Sequence, residues 1–187
     1  MKPVQVEVCR GSDIQPYVDR LAGLRLTVFR EYPYLYEGTI SEEQNYLKMY
    51  SMSSNSILVI ARDGDKVIGM ATAIPLNETS SDYWKIFSDK KIPIDAIFYL
   101  GEMVLLKEYR GKGIGSRIYH QLEKLVKERG LYKKITLSEV DRGGDDKSFW
   151  KTKGFIKHPE LRVYFSWKEI GELKKTRHAL VFSSKNL

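Results

Sequence analysis

Apolar positions along the chain switch repeatedly between a period of two and a period near 3.6. Val4-Gln5-Val6-Glu7-Val8 alternates and predicts a first strand. Gly11-Ser12-Asp13 supplies a turn and a cap, and Ile14, Val18, Leu21, Leu24 and Val28 then recur at three- and four-residue spacing. That spacing predicts a helix ending before Pro33. After the aromatic stretch Tyr32-Pro33-Tyr34-Leu35-Tyr36, Ser41-Glu42-Glu43-Gln44 has the form of a capping box. It opens a second helix through Tyr46, Leu47 and Tyr50.

Residues 57–61 and 66–73 are strand-like and flank Arg62-Asp63-Gly64-Asp65, which reads as a hairpin. The polar stretch 77–95 holds a short helix around Trp84 and Phe87. Residues 97–106 form a buried strand that runs into Arg110-Gly111-Lys112-Gly113-Ile114-Gly115. Beyond it, Ile114, Ile118, Leu122, Leu125 and Val126 share one helix face, and the helix ends near Gly130. A strand at 135–140, a short helix around Phe149 and Trp150, and strands at 161–165 and 179–182 complete the pattern. This is a mixed α/β (α+β) arrangement without repeats or linkers.

Composition narrows the class. With 187 residues, 42% hydrophobic and 29% charged, the chain suits one domain with a real core. No apolar run is long enough to cross a bilayer and no signal-peptide pattern opens the chain, so a cytoplasmic protein is expected. Cys9 is the only cysteine, which excludes internal disulfides. His120, His158 and His178 show no metal-ligand spacing.

The net charge of +7 is unevenly spread. Residues 1–100 carry 11 Lys/Arg against 13 Asp/Glu, whereas residues 101–187 carry 20 against 11. A basic half attracts polyanions, including a phosphate-rich cofactor. Nucleic acid would want basic residues interleaved with aromatics on one surface, and most of these bases read instead as solvated helix and turn positions. A nucleic-acid binder is therefore only an alternative reading.

The strand, glycine turn and amphipathic helix around residue 110 together make an anion site. A helix N-terminus presents unpaired N–H groups, and glycines let the backbone curl so that these converge. Arg110 and Lys112 add formal charge there. A Walker loop, G-x-x-x-x-G-K-[ST], is absent, and the G-x-G-x-x-G of dinucleotide folds is not completed, since Ser116 and Ile118 fill its last place in the two possible registers.

Here the sequence resembles the GCN5-related N-acetyltransferases (GNAT), whose signature [QR]-x-x-G-x-[GA] is met by Arg110, Gly113 and Gly115. The resemblance runs in order from about residue 57 to 182. It implies one domain over 1–187 with a central, mostly antiparallel sheet flanked by helices. Residues 1–56 would be the acceptor-side helices, and 57–187 the cofactor core and C-terminal strands. It further implies that Arg110, Gly111, Lys112, Gly113, Ile114, Gly115 and Ser116 hold the pyrophosphate of acetyl-CoA. The end of the preceding strand, Met103, Val104 and Leu105, would take the pantetheine arm. Family members often form homodimers, which a homodimer here would match.

The chemistry sets one further demand. An ammonium has no lone pair, so an amine of pKa about 10.4 must lose a proton before it attacks a thioester. Glu102, inside the apolar strand and where many family members carry a general base, is the candidate. Many members also carry a tyrosine four residues before a Gly-Phe pair, as proton donor to the leaving thiolate. Here that position is Trp150, and indole has no useful acidity. The family's asparagine after the fifth strand is not cleanly matched in Asp141-Arg142-Gly143-Gly144-Asp145-Asp146.

For the acceptor, Tyr32, Tyr34, Tyr36 and Glu37 lie close to Glu42, Glu43, Tyr46 and Tyr50 in sequence, and aromatic faces with carboxylates suit a cationic amine. The reading is an acetyl-CoA-dependent N-acetyltransferase acting on a small-molecule primary amine. A catalytically degenerate CoA-binding module is the other alternative.

Overall fold

The computed structural model describes residues 3–143 and 148–187. Seven strands form one sheet in the order β1-β2-β3-β4-β5-β7-β6. These are β1 (Gln5–Arg10), β2 (Ile57–Asp63), β3 (Lys66–Pro75), β4 (Ile97–Leu105), β5 (Lys134–Val140), β6 (Ile156–Lys168) and β7 (Lys175–Asn186). Only β4 and β5 run parallel. The helices are α1 (Val18–Phe29), α2 (Ile40–Met52), α3 (Ser81–Asp89), α4 (Ile114–Glu128) and α5 (Phe149–Thr152). None among the described residues is long and apolar enough to cross a membrane.

Helices cover both faces, so the central strands are buried on both sides and read as continuous apolar runs. Leu58, Ile60, Met70 and Tyr99 pack with Leu21 of α1 and Leu47 and Tyr50 of α2. On the opposite face Val59, Ala71, Phe98 and Ile135 meet Ile118, Leu122 and Val126 of α4. Each large apolar side chain buried this way contributes about 1.5–3 kcal/mol. Gly130, at φ +67°, stops α4 at the position its sequence marks.

Two local features differ from the sequence pattern. The first turn of residues 14–28 is a 3₁₀ helix over Gly11–Tyr17, and α1 proper begins at Val18. The capping box of α2 lies two residues earlier than predicted: Thr39 is the cap, its side chain accepting from the Glu42 N–H while Glu42 accepts from the Thr39 N–H. Thr39 has the extended backbone a cap requires, whereas Ser41 is already helical.

Two irregularities in β4 create the site. β4 and β5 pair only at Ile97↔Lys134, Phe98↔Ile135 and Tyr99↔Thr136, then part. A hydrogen bond of 2.9 Å between the Tyr99 and Ser138 hydroxyls marks the point of divergence. On the other edge of β4, Ala73 pairs with Leu100 and Thr72 with Glu102, leaving Gly101 as a bulge. The bulge changes the strand's phase. Before it, even-numbered Phe98 and Leu100 face α4; after it, odd-numbered Met103 and Leu105 do. Glu102 is thereby turned to the face of α1 and α2.

Candidate active site

The first cavity begins at the glycine loop. Gly113 sits at φ +75°, left-handed backbone that costs L side chains energy, and caps α4 with no side chain of its own. The helical ladder starts with the Arg117 N–H donating to the Gly113 carbonyl at 3.1 Å. The N–H groups of Ile114, Gly115 and Ser116 precede that bond, and no acidic residue lies in the first turn to compete for them. Such an end holds anions through its N–H groups and partial positive charge.

A cavity of about 550 Å³ opens from this loop. Met103, Val104, Leu105, Arg110, Gly111, Gly113, Gly115 and Ser116 all line it. Lys112 and Ile114 do not: Lys112 donates to the Glu108 carbonyl at 2.8 Å, and the Ile114 side chain is buried beneath the helix. Arg110 is held by a bidentate pair with Glu31, at 2.7 and 3.1 Å, and by the Leu105 carbonyl at 2.9 Å. Lys153 donates to the Ser116 hydroxyl at 2.8 Å and brings a further cation to the first turn of α4. The sequence pattern had not singled it out.

A second cavity, of about 460 Å³, lies between α1, α2 and the parted strands. Tyr34, Tyr36, Glu42, Glu43 and Tyr46 line it, together with Ser80 and Tyr83 from the stretch before β4. Of the other acceptor candidates, Tyr32 is 68% exposed and lines the first cavity instead. Glu37 pairs with Lys168 at 2.7 Å outside the second cavity. Tyr50 is fully buried below it.

At the floor of the second cavity stands an ion cluster. Arg25 of α1, 8% exposed, pairs with both Glu43 of α2 and Glu102 of β4. Its guanidinium lies over the rings of Tyr46 at 4.4 Å and Phe29 at 4.7 Å. Burial, together with the Glu43 carboxylate, drives the Tyr36 phenol well above its ordinary pKa. With both carboxylates ionised the three charged groups sum to one negative charge, enclosed by aromatic walls. Such a charge calls for a cation.

Trp150 lines neither of these cavities. It packs against Tyr119 and Phe155, with ring centroids 5.8 and 5.4 Å apart. Its neighbour Phe149 faces the first cavity. Cys9 lies on β1, away from both cavities, and burial raises its thiol pKa with help from Glu7. Gly144, Asp145 and Asp146, in the segment without the family asparagine, fall outside the described residues.

Comparison with known proteins identifies the family and the fold. The model of the "Acetyltransferase (GNAT) family" matches residues 24–155. None of the curated protein sequences matches the chain. Among solved structures, it is similar to a ribosomal-protein-alanine N-acetyltransferase from Brucella melitensis, with 12% identity, TM-score 0.63, and 97% of this chain and 99% of that one covered. Arabidopsis thaliana NAA60 in complex with acetyl-CoA aligns at 14% identity and TM-score 0.64, covering 99% of each chain. PH1933 from Pyrococcus horikoshii OT3 does so at 17% identity and TM-score 0.64, again over 99% of each. With the family model running from within α1 to Phe155, just past α5, the chain belongs to the GNAT family of N-acetyltransferases, enzymes whose acetyl donor is acetyl-CoA.

Proposed function

We propose that the chain transfers an acetyl group from acetyl-CoA to a primary amine on a small cationic molecule, by direct attack while both substrates are bound. One observation carries the choice of acceptor: the aromatic-walled second cavity encloses two carboxylates against a single guanidinium. An incoming ammonium balances that charge and gains from the ring faces.

The cofactor supplies an activated acetyl thioester. In this reading the open N–H groups of α4 and the bases beside them hold its pyrophosphate, and the free edge of β4 at Met103–Leu105 aligns its arm. The residues present fit that role, because the loop glycines leave the backbone bare and the first turn of α4 carries no acid; Glu31, which also lines the cavity, is paired with Arg110. The bulge at Gly101 and the pair with Arg25 hold Glu102 beside the acceptor cavity. From there its carboxylate takes the ammonium proton, directly or through a water, and frees the lone pair. Arg25 acts as a positioning residue, fixing Glu102 against Glu43.

Direct transfer fits the position of Cys9, which lies away from both cavities with a raised pKa and is no acyl carrier. Initial velocities measured against both substrates test this. Intersecting reciprocal plots are expected, and Glu102→Gln should lower kcat by about 10²–10⁴-fold. Parallel plots, which signal an acyl-enzyme, would overturn direct transfer.

A further inference from the structure

The acetyl group must pass where the two cavities meet, and few side chains stand at that boundary. On β4 it falls between Glu102, which lines the acceptor cavity, and Met103, which lines the cofactor cavity. Phe29 and Tyr34 line both cavities. Phe29 offers no polar atom, so Tyr34 is the residue shared by both that brings a hydroxyl.

Tyr34 is held from several sides. Its carbonyl accepts from the Trp167 indole N–H at 3.1 Å and from Arg142 at 3.4 Å, and Arg142 also donates to the preceding Pro33 carbonyl at 2.7 Å. Its ring packs on Phe29 with centroids 4.5 Å apart. Its ring also lies 6.3 Å from that of Trp167, which lines the second cavity. Burial, reinforced by Glu139, pushes its pKa up to about 12. The phenol therefore stays protonated at working pH. Among the described residues its hydroxyl has no hydrogen-bond partner.

We propose that the Tyr34 hydroxyl is the hydrogen-bond donor to the departing CoA sulfur, replacing the tyrosine that Trp150 displaces. The assignment rests on the acetyl-transfer reading above. The lone pair that Glu102 has freed forms the C–N bond, and the second proton, shed by the nitrogen as the amide forms, passes to water. The C–S bond breaks with its electron pair moving to sulfur, where the Tyr34 O–H donates as the charge grows. Sulfur then takes its proton from water on release, and Tyr34 keeps its own. A thiol of pKa about 8.5 leaves as thiolate under these conditions, so a donor that stabilises the anion suffices.

The direct test is the ionisation of bound CoA, followed by the ultraviolet absorbance of its thiolate across a pH series. The Tyr34→Phe protein should bind CoA as the wild type does by calorimetry, yet show a bound-thiol ionisation constant about tenfold smaller. Its kcat should fall by a similar factor with KM for acetyl-CoA unchanged, and Trp150→Phe should alter neither quantity. Substituting 3-fluorotyrosine at position 34, which retains the ring and strengthens the donor, should shift the thiol the opposite way and covers a Tyr34→Phe protein that folds poorly. An unchanged thiol ionisation constant with intact CoA binding overturns the assignment to Tyr34. Failure of the wild type to bind CoA would instead overturn the parent reading.

Discussion

Arg25 carries the local electrostatics of the site. It is nearly inaccessible and has two carboxylate partners, so its removal leaves Glu43 and Glu102 buried without a counter-charge. Breaking a buried pair in this manner costs about 3–5 kcal/mol, much more than an exposed ion pair is worth. Arg25→Met should lower the urea midpoint accordingly, while Glu102→Gln, which leaves Arg25 its bond to Glu43, should cost far less. A loss below about 1 kcal/mol for Arg25→Met would mean that the cluster is hydrated in solution. The sequence contains a signal for this residue that the periodicity alone passes over: Arg25 continues the three- and four-residue stripe of Val18, Leu21 and Val28, where a charge needs a buried partner. Its partners were not legible, because Glu43 and Glu102 come from α2 and β4 and only the folded chain joins them. Tyr34, by contrast, was legible as a site candidate from the aromatic turn. Its place between two cavities depends on Trp167 and Arg142, more than 100 positions away.

At the level of elements, strongly periodic segments could be read directly. The apolar stripe of α4 and its stop at Gly130 follow from one sequence window, as does the β2–β3 hairpin around Gly64. The two C-terminal strands read as short because their ends carry exposed polar residues. The apolar centres at 161–165 and 179–182 are only the middles of β6 and β7, whose flanks are held by cross-strand pairing such as Trp167↔Thr176 and Ile156↔Ser184. The bulge at Gly101 was also invisible in a strand that is apolar on both faces. A Cβ at Gly101 would fall 1.7 Å from the Tyr50 hydroxyl, so the bulge and the buried tyrosine require a glycine there. Gly101→Ala should destabilise the protein by about 1–3 kcal/mol, and Tyr50→Phe in the same chain should recover part of the loss. Thermal unfolding reads this as a drop of about 2–4 °C per kcal/mol. A Gly101→Ala protein as stable as the wild type would show that β4 can shed its bulge, and with it the phase that turns Glu102 to the acceptor.

Across the whole molecule, both halves of the sequence contribute charge to each cavity: Glu31 joins Arg110 at the first, and Arg25 joins Glu102 at the second. The basic half supplies Arg110 and Lys153 at the glycine loop, and the N-terminal half supplies Glu42 and Glu43 to the second cavity. The sheet keeps the two cavities apart and adjacent, because β4 belongs to both: its end leads into the glycine loop, and its bulge turns Glu102 to the other face. The fold was legible, and so was the gathering of Met103 to Leu105 with the glycine loop at one cavity, because that loop and its flanking elements are contiguous in sequence. The acceptor cavity was legible only in part, since Phe165, Trp167 and Ser138 reach it from strands far along the chain. The most direct measurement of the central claim is thiol release from acetyl-CoA by the purified protein, across diamines, polyamines, aminoglycosides and peptide N-termini. The account requires release with at least one small cationic amine, lost on Glu102→Gln while CoA binding is kept. Release with peptide N-termini alone, or with no amine at all despite bound CoA, would contradict it.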